Sequence, residues 1–266
     1  MLRLRPGLCL VLYPSSRAGL AAKHHAIRIT PRFTRPVDRP LEDAHLKLPA
    51  DALLHLLHRA TAGTLATHSR APQGFPYPSI LPFAPDARHR PTILVSRLAE
   101  HTRNLQDDPR AGFLVVDAPD GDVLNAQRVT LLGRFEPVDA APPLVRRYLR
   151  YHPDAERYLA LGDFSFWTLT PDRMRYIGGF GSMGWIEAGD LDPLEPLAPD
   201  DEAALVDGFE RDARRLPQVE LLGVDRYGAD LRVGGIRIRQ PFSAPMVDPH
   251  ALFAALEACL SGSVAT

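Results

Sequence analysis

Cysteine is scarce in this chain, and so is net charge. The two cysteines, Cys9 and Cys259, stand in the N-terminal leader and in an apolar C-terminal segment. That usage excludes a disulfide framework and points to a reducing, cytoplasmic setting. A formal net charge of −1 gives no global field to draw in nucleic acid, and there is no arginine-and-aromatic platform, so nucleic acid is not an expected partner. No apolar run approaches the roughly 20 residues a membrane-crossing helix needs. The longest early one, Leu8 to Tyr13, stops at Pro14. Phosphate-loop and dinucleotide fingerprints are missing as well: Gly178 to Gly184 (GGFGSMG) has the glycines without the strand-then-helix context. Dehydrogenase, kinase and hydrolase motifs are absent, and no residue reads as a convincing general base, so the catalytic residues are unknown.

What is present is enough apolar residue, 45% of 266, to build a substantial core without metals or bridges. The first 37 residues carry Arg3, Arg5, Arg17, Lys23, Arg28, Arg32 and Arg35 and not one carboxylate. This composition fits a disordered leader, a start codon called too early, or an organellar or export signal, and each reading sets residues 1–47 outside the fold.

Residues 48–190 read as the main domain. Pro49-Ala50-Asp51 opens a helix with Leu53, Leu54 and Leu57 on one face. Strands are expected at 63–68, 77–83, 92–96, 111–117 and 127–135, with Gly133 a possible bulge. A short helix is expected within 97–106 and an amphipathic one over 140–151. Residues 164–170 and 173–177 read as two closing strands joined by a Pro171-Asp172 turn, and 178–182 as a loop. Short strands with many turn signals favour a barrel over a doubly wound sheet. The stretch 191–201, acidic and proline-rich, reads as a linker to a small α/β domain over 202–266. That domain should hold a helix at 202–216, a hairpin of 219–225 and 230–239, and a final helix started by Asp248-Pro249. With so thin a core of its own, it should dock on the barrel.

The run Ser96-Arg97-Leu98-Ala99-Glu100-His101-Thr102-Arg103-Asn104-Leu105, followed by Asp107-Asp108-Pro109-Arg110-Ala111, resembles the pyridoxamine 5′-phosphate oxidase-like superfamily, and most nearly its haem-utilisation (HugZ/HutZ-type) branch. Gly63 to Thr67, Pro76 to Ser79, Gln127 to Leu131, Asp163-Phe164 and Gly178 to Gly181 extend the likeness over roughly 53–186. Leu222-Gly223-Val224-Asp225 resembles the small module that often follows such barrels. The resemblance implies an α+β chain: a six-stranded antiparallel split β-barrel of the flavin mononucleotide (FMN)-binding type, then the α/β module. It also implies a homodimer with the cofactor at the subunit interface and a small-molecule substrate. The Trp-and-Arg tail that holds pyridoxal in the oxidase proper has no match here, so oxidation of pyridoxamine phosphate is not expected.

For FMN, the resemblance assigns the phosphate to Ser96, His101, Arg103 and Asn104, with Ser79 on the neighbouring strand. Arginine is suited to a bidentate grip on phosphate, and the start of a helix adds backbone donors. Gln127 approximates a glutamine that contacts the flavin. Arg128 either stabilises negative charge on the reduced ring or is an exposed strand arginine. Trp185 either walls a cofactor cleft or packs in the core, and Trp167 reads as core. The alternative cofactor is haem, which needs an axial ligand, most often histidine. Beyond His152 only His250 offers one, in the first turn of a helix and outside any recognisable ligand motif. His55 and His58, one helical turn apart, are a possible metal pair for which the sequence suggests no third ligand.

Overall fold

Burial alternates along β-strands in the middle of the chain, as in 62–68, 110–117 and 127–136, where the sheet buries one face of the strand. The computed structural model describes residues 50–117, 121–179 and 182–260. In chain order its elements are α1 (Ala50–Arg59), β1 (Ala62–His68), β2 (Pro76–Pro82), β3 (Ala84–Pro85), β4 (Pro91–Ser96), α2 (Glu100–Asp107), β5 (Arg110–Asp117) and β6 (Gln127–Val138). Then follow α3 (Pro142–Tyr151), a one-turn α4 (Glu156–Leu159), β7 (Phe164–Ile177), β8 (Met183–Glu187), α5 (Pro199–Arg211), β9 (Val219–Asp225), β10 (Gly228–Val233), β11 (Ile236–Pro241) and α6 (Pro249–Leu260).

The first eight strands make one curled antiparallel sheet in the order β2-β1-β5-β6-β7-β4-β3, with β8 also on β7. Leu65, Phe113, Val115, Val129, Leu131, Met174 and Tyr176 point inward, where Leu53, Leu54 and Leu57 of α1 plug the barrel. The expected split barrel with a following α/β module is therefore the architecture, with two short strands, β3 and β8, beyond the six expected. Trp167 is core, as expected.

The turn expected at Pro171-Asp172 is instead the middle of one long strand. Gly133 of β6 pairs with Pro171 and the register shifts between Leu132 and Gly133, so a bulge absorbs the proline. A Cβ on Gly133 would overlap the Thr170 carbonyl oxygen, which is why glycine stands opposite the bulge. Likewise the stretch expected as one strand over 230–239 is broken by the positive-φ pair Gly234-Gly235 into β10 and β11.

The module has its own core of Val206, Phe209, Leu221, Val224, Leu231, Leu252 and Leu256. Tyr148, Tyr151 and Phe166 of the barrel side pack with Leu222 of β9. The segment between the two halves is anchored at both ends, because Leu191 packs into the barrel core and Leu197 into that of the module. No described helix is long and apolar enough to cross a membrane.

Candidate functional site

Two corners of the barrel collect the residues that the resemblance singles out. The first is the junction of β4 and α2. Ser96 ends β4, and its hydroxyl donates to the Asp163 carboxylate at 2.5 Å while accepting the Leu98 N–H at 3.0 Å. Asn104 is fully buried; its amide donates to Thr67 Oγ1 at 3.0 Å and its oxygen accepts the Arg70 N–H at 3.2 Å. Both side chains thus hold the turn together. Ser79 on β2 lies 3.4 Å from Nδ1 of His101, whose pKa burial pushes down. Arg103 is half-exposed, with a loose ion pair to Glu100 at 3.8 Å. That pair leaves its guanidinium largely uncommitted. Beside it the Thr102 hydroxyl is buried without a partner.

The second corner lies at the far end of β7. Ser96 pairs with Phe164, the first residue of β7, whereas Trp185 of β8 pairs with Arg175, near its end. Within one chain the two corners therefore do not meet. Gln127 accepts a hydrogen bond from Arg59 at 2.8 Å. Arg128 donates to the carbonyls of Val123, Leu124 and Ala126, which makes it the clamp of the loop before β6. Trp185 is 40% exposed, so it is not core, and the guanidinium carbons of Arg173 and Arg175 lie 4.4 and 5.6 Å from its ring centre.

Alternation puts Trp185, Arg175, Thr130, Leu114, Thr64 and Ile80 in one row across the outward face of the sheet. Arg173, Leu132, Gly112 and Ala66 form the next row. Small residues in the middle leave a shallow groove of about 360 Å³ lined by Ala66, Gly112, Leu132 and His68. His68 was not singled out by its sequence context. Its Nδ1 is held by Asp108 at 2.9 Å, and half of its side chain is exposed. The side chain of His250 lies outside the described residues.

A family model described as CREG, beta-barrel matches residues 50–192. A curated Arabidopsis thaliana protein, named as a non-canonical chloroplastic heme oxygenase, is 34% identical over 133 residues, which are 49% of this chain and 40% of that protein. The chain thus spans well under half the length of that relative. Among solved structures, a heme binding protein from Mycobacterium smegmatis is 31% identical over 80% of this chain and 96% of its own, with a TM-score of 0.50. A protein of unknown function from Agrobacterium tumefaciens is 20% identical, covers 85% of this chain and 100% of its own, and superposes with a TM-score of 0.65, a likeness of fold alone.

Proposed function

The chain belongs to the CREG β-barrel family, and from that premise we propose that it binds haem on the outward face of its sheet, between two copies of the barrel. The observation that carries this reading is the composition of that face. Leu114, Leu132 and Ile80 offer a flat apolar surface around small residues, and Arg173 and Arg175 flank the exposed Trp185 at its edge. A porphyrin has the same character: a broad apolar plane with two carboxylates on one side. Arg175 would pair with a propionate through charge-assisted hydrogen bonds, as would Arg173 in exchange for its ion pair to Glu187 at 2.9 Å, and Trp185 would stack on the ring edge. Relatives above 30% identity whose names refer to heme support the choice of ligand.

When bound, haem supplies an iron that coordinates oxygen and other small ligands. The chain's own residues would hold the plane, neutralise the propionates and supply a basic ligand to the iron. His68 suits that last task, because it lines the groove and Asp108 engages Nδ1, leaving Nε2 for a ligand bond. A second copy laid against the same face would cover apolar surface that one chain leaves half-exposed.

A second reading, FMN, is favoured by the loosely paired Arg103 beside Ser79 and His101. Against it, the Ser96 hydroxyl is already given to a carboxylate, Asp163, a poor neighbour for a phosphate dianion. The absorption spectrum of the purified full chain separates the two. Titrated haem should produce a Soret band that shifts in His68→Ala and weakens in Arg173→Ala/Arg175→Ala, with light scattering reporting a dimer. A flavin band with no Soret response would overturn the haem reading, and a monomer with full haem binding would overturn the two-copy seam.

A further inference from the structure

Where α1, the turn between β3 and β4, and strands β9 to β11 converge, the described residues bury a dense polar group: His58, His89, Asp225, Asp230 and Arg239 are each at most 5% exposed. His58 Nδ1 lies 2.6 Å from Asp230 Oδ2, and His58 Nε2 lies 2.8 Å from His89 Nδ1. At the other end, His89 Nε2 lies 3.1 Å from Asp192 Oδ2. Asp225 Oδ2 sits beside the two facing nitrogens, 3.5 Å from His58 Nε2 and 3.9 Å from His89 Nδ1. His89 takes up this position with φ at +62°, in the left-handed region that a non-glycine residue enters at a cost.

Counting hydrogens shows what this arrangement needs. The line Asp230, His58, His89, Asp192 has three gaps, and carboxylates only accept. Two neutral imidazoles carry two N–H groups between them. With the outer nitrogens donating to Asp230 and Asp192, His58 Nε2 and His89 Nδ1 turn lone pairs toward each other, with the Asp225 oxygen alongside. A metal-binding histidine is held in this way, its far N–H given to a carboxylate that fixes the tautomer and strengthens the donor. The charges point the same way. Three carboxylates, Asp192, Asp225 and Asp230, are in contact with the cluster, and the guanidinium bonded to it is that of Arg239, which clamps Asp225 at 2.7 and 2.9 Å and Asp230 at 3.1 Å. With neutral imidazoles and the hydroxyls of Tyr151 and Tyr227 donating to Asp230 and Asp192, carboxylates outnumber guanidinium groups among the groups bonded to the cluster, with Arg147 and Arg237 further off over the Tyr151 ring.

We propose that His58 Nε2, His89 Nδ1 and Asp225 Oδ2 bind one divalent transition-metal cation of the zinc class, which fastens the C-terminal module to the barrel. Two imidazoles and one carboxylate form a borderline donor set that suits zinc rather than calcium or magnesium. Zinc–nitrogen bonds of about 2.0–2.1 Å in tetrahedral geometry ask the facing nitrogens to separate by roughly half an ångström, which side-chain rotation supplies. His58 comes from α1, His89 from the turn before β4 and Asp225 from the end of β9, so the cation would cross-link three segments far apart in sequence. The sequence left His58 paired with His55 and without a third ligand. The fold gives it His89 and Asp225, while His55 accepts a hydrogen bond from Arg239 at 3.2 Å. This proposal is independent of haem or flavin binding.

The test uses the full-length protein, its metal content measured by mass spectrometry as purified, then stripped by chelator and titrated with Zn²⁺ and with Co²⁺. One equivalent of bound cation and the visible ligand-field bands of tetrahedral Co²⁺ are expected. His89→Gln should abolish the bands. Asp192→Asn, at the edge of the cluster, should weaken Zn²⁺ binding about 10- to 100-fold by removing the carboxylate charge that strengthens the His89 donor. A folded wild-type chain without stoichiometric cation or cobalt bands would overturn the proposal and leave a proton-sharing histidine pair as the content of the cluster. Wild-type affinity in His89→Gln would place the cation elsewhere and overturn it equally. Should His89→Gln fail to fold, unchanged affinity in Asp192→Asn decides the same way.

Discussion

Gly223 of β9 lies so close to Tyr151 of α3 that a Cβ there would overlap the phenol oxygen, with the Arg147 guanidinium just behind. Glycine is thus what lets the module approach the barrel. Gly223→Ala should cost about 1–3 kcal/mol through overpacking. Limited proteolysis of residues 192–199 should quicken in the same variant, because the seam opens there first. Unchanged denaturation and cleavage would mean that Tyr151 swings aside freely.

Glu202, at the start of α5, accepts hydrogen bonds from Arg147 at 2.5 Å and from Arg150 at 2.6 Å across the same seam. Burial works against the charge on Arg147, and the Glu202 carboxylate outweighs it, raising the guanidinium pKa above its usual value. Glu202→Ala leaves two cations without their partner in a mostly buried place. A stability loss of about 3–5 kcal/mol is expected from chemical denaturation, well beyond that of a surface pair.

His152 should make folding sensitive to acid. Its Nε2–H donates to the Phe83 carbonyl at 2.7 Å, and burial first, then Arg237 and Arg232, lower its pKa from 6.5 to about 4. The unfolded chain takes up this proton near pH 6.5, whereas the folded one resists until about pH 4. Its contribution is therefore complete above pH 6.5 and is lost as pH falls between those values. Roughly 2 kcal/mol should go between pH 7 and pH 5. His152→Gln keeps a donor for Phe83 and cannot titrate, so the variant's denaturation midpoint should fall by that much less over the same range.

Arg103 distinguishes the flavin reading from the haem one. If the β4–α2 corner grips a phosphate, Arg103→Ala should weaken FMN binding roughly 10- to 150-fold, the loss of one charge-assisted hydrogen bond. Riboflavin has no phosphate and should bind the variant as it binds the wild type. Equal losses for both ligands, or none, would return Arg103 to its pairing with Glu100.

The burial alternation in β1, β5 and β6 made those strands readable, because each buries one face in the barrel core, and β4 was readable as a short apolar run, buried on both faces. The helices α3 and α6 were readable through apolar spacing, and α2 as a polar stretch before Asp108-Pro109. β7 read as two strands because Pro171-Asp172 is a turn pair by local chemistry, and only the bulge at Asp172, opposite the close-packed Gly133 of β6, lets the strand run through the proline. β8 escaped notice among glycines, since its edge pairing with β7 replaces what its own residues lack.

Residue types for the candidate site were visible, but their roles were not. Ser96 and Asn104 stood in the motif with the strongest resemblance, yet the hydroxyl of Ser96 is taken by Asp163 and the amide of Asn104 by Thr67, partners whose nearness is a product of sheet order. By itself the sequence determined the barrel and the module after it, because these follow from periodicity and short motifs. Only the tertiary structure decided that His58, His89 and Asp225 converge and that Arg173 and Arg175 flank Trp185. Such groupings join residues from separate elements, and no local propensity records a contact that exists only once the sheet has curled and the module has docked.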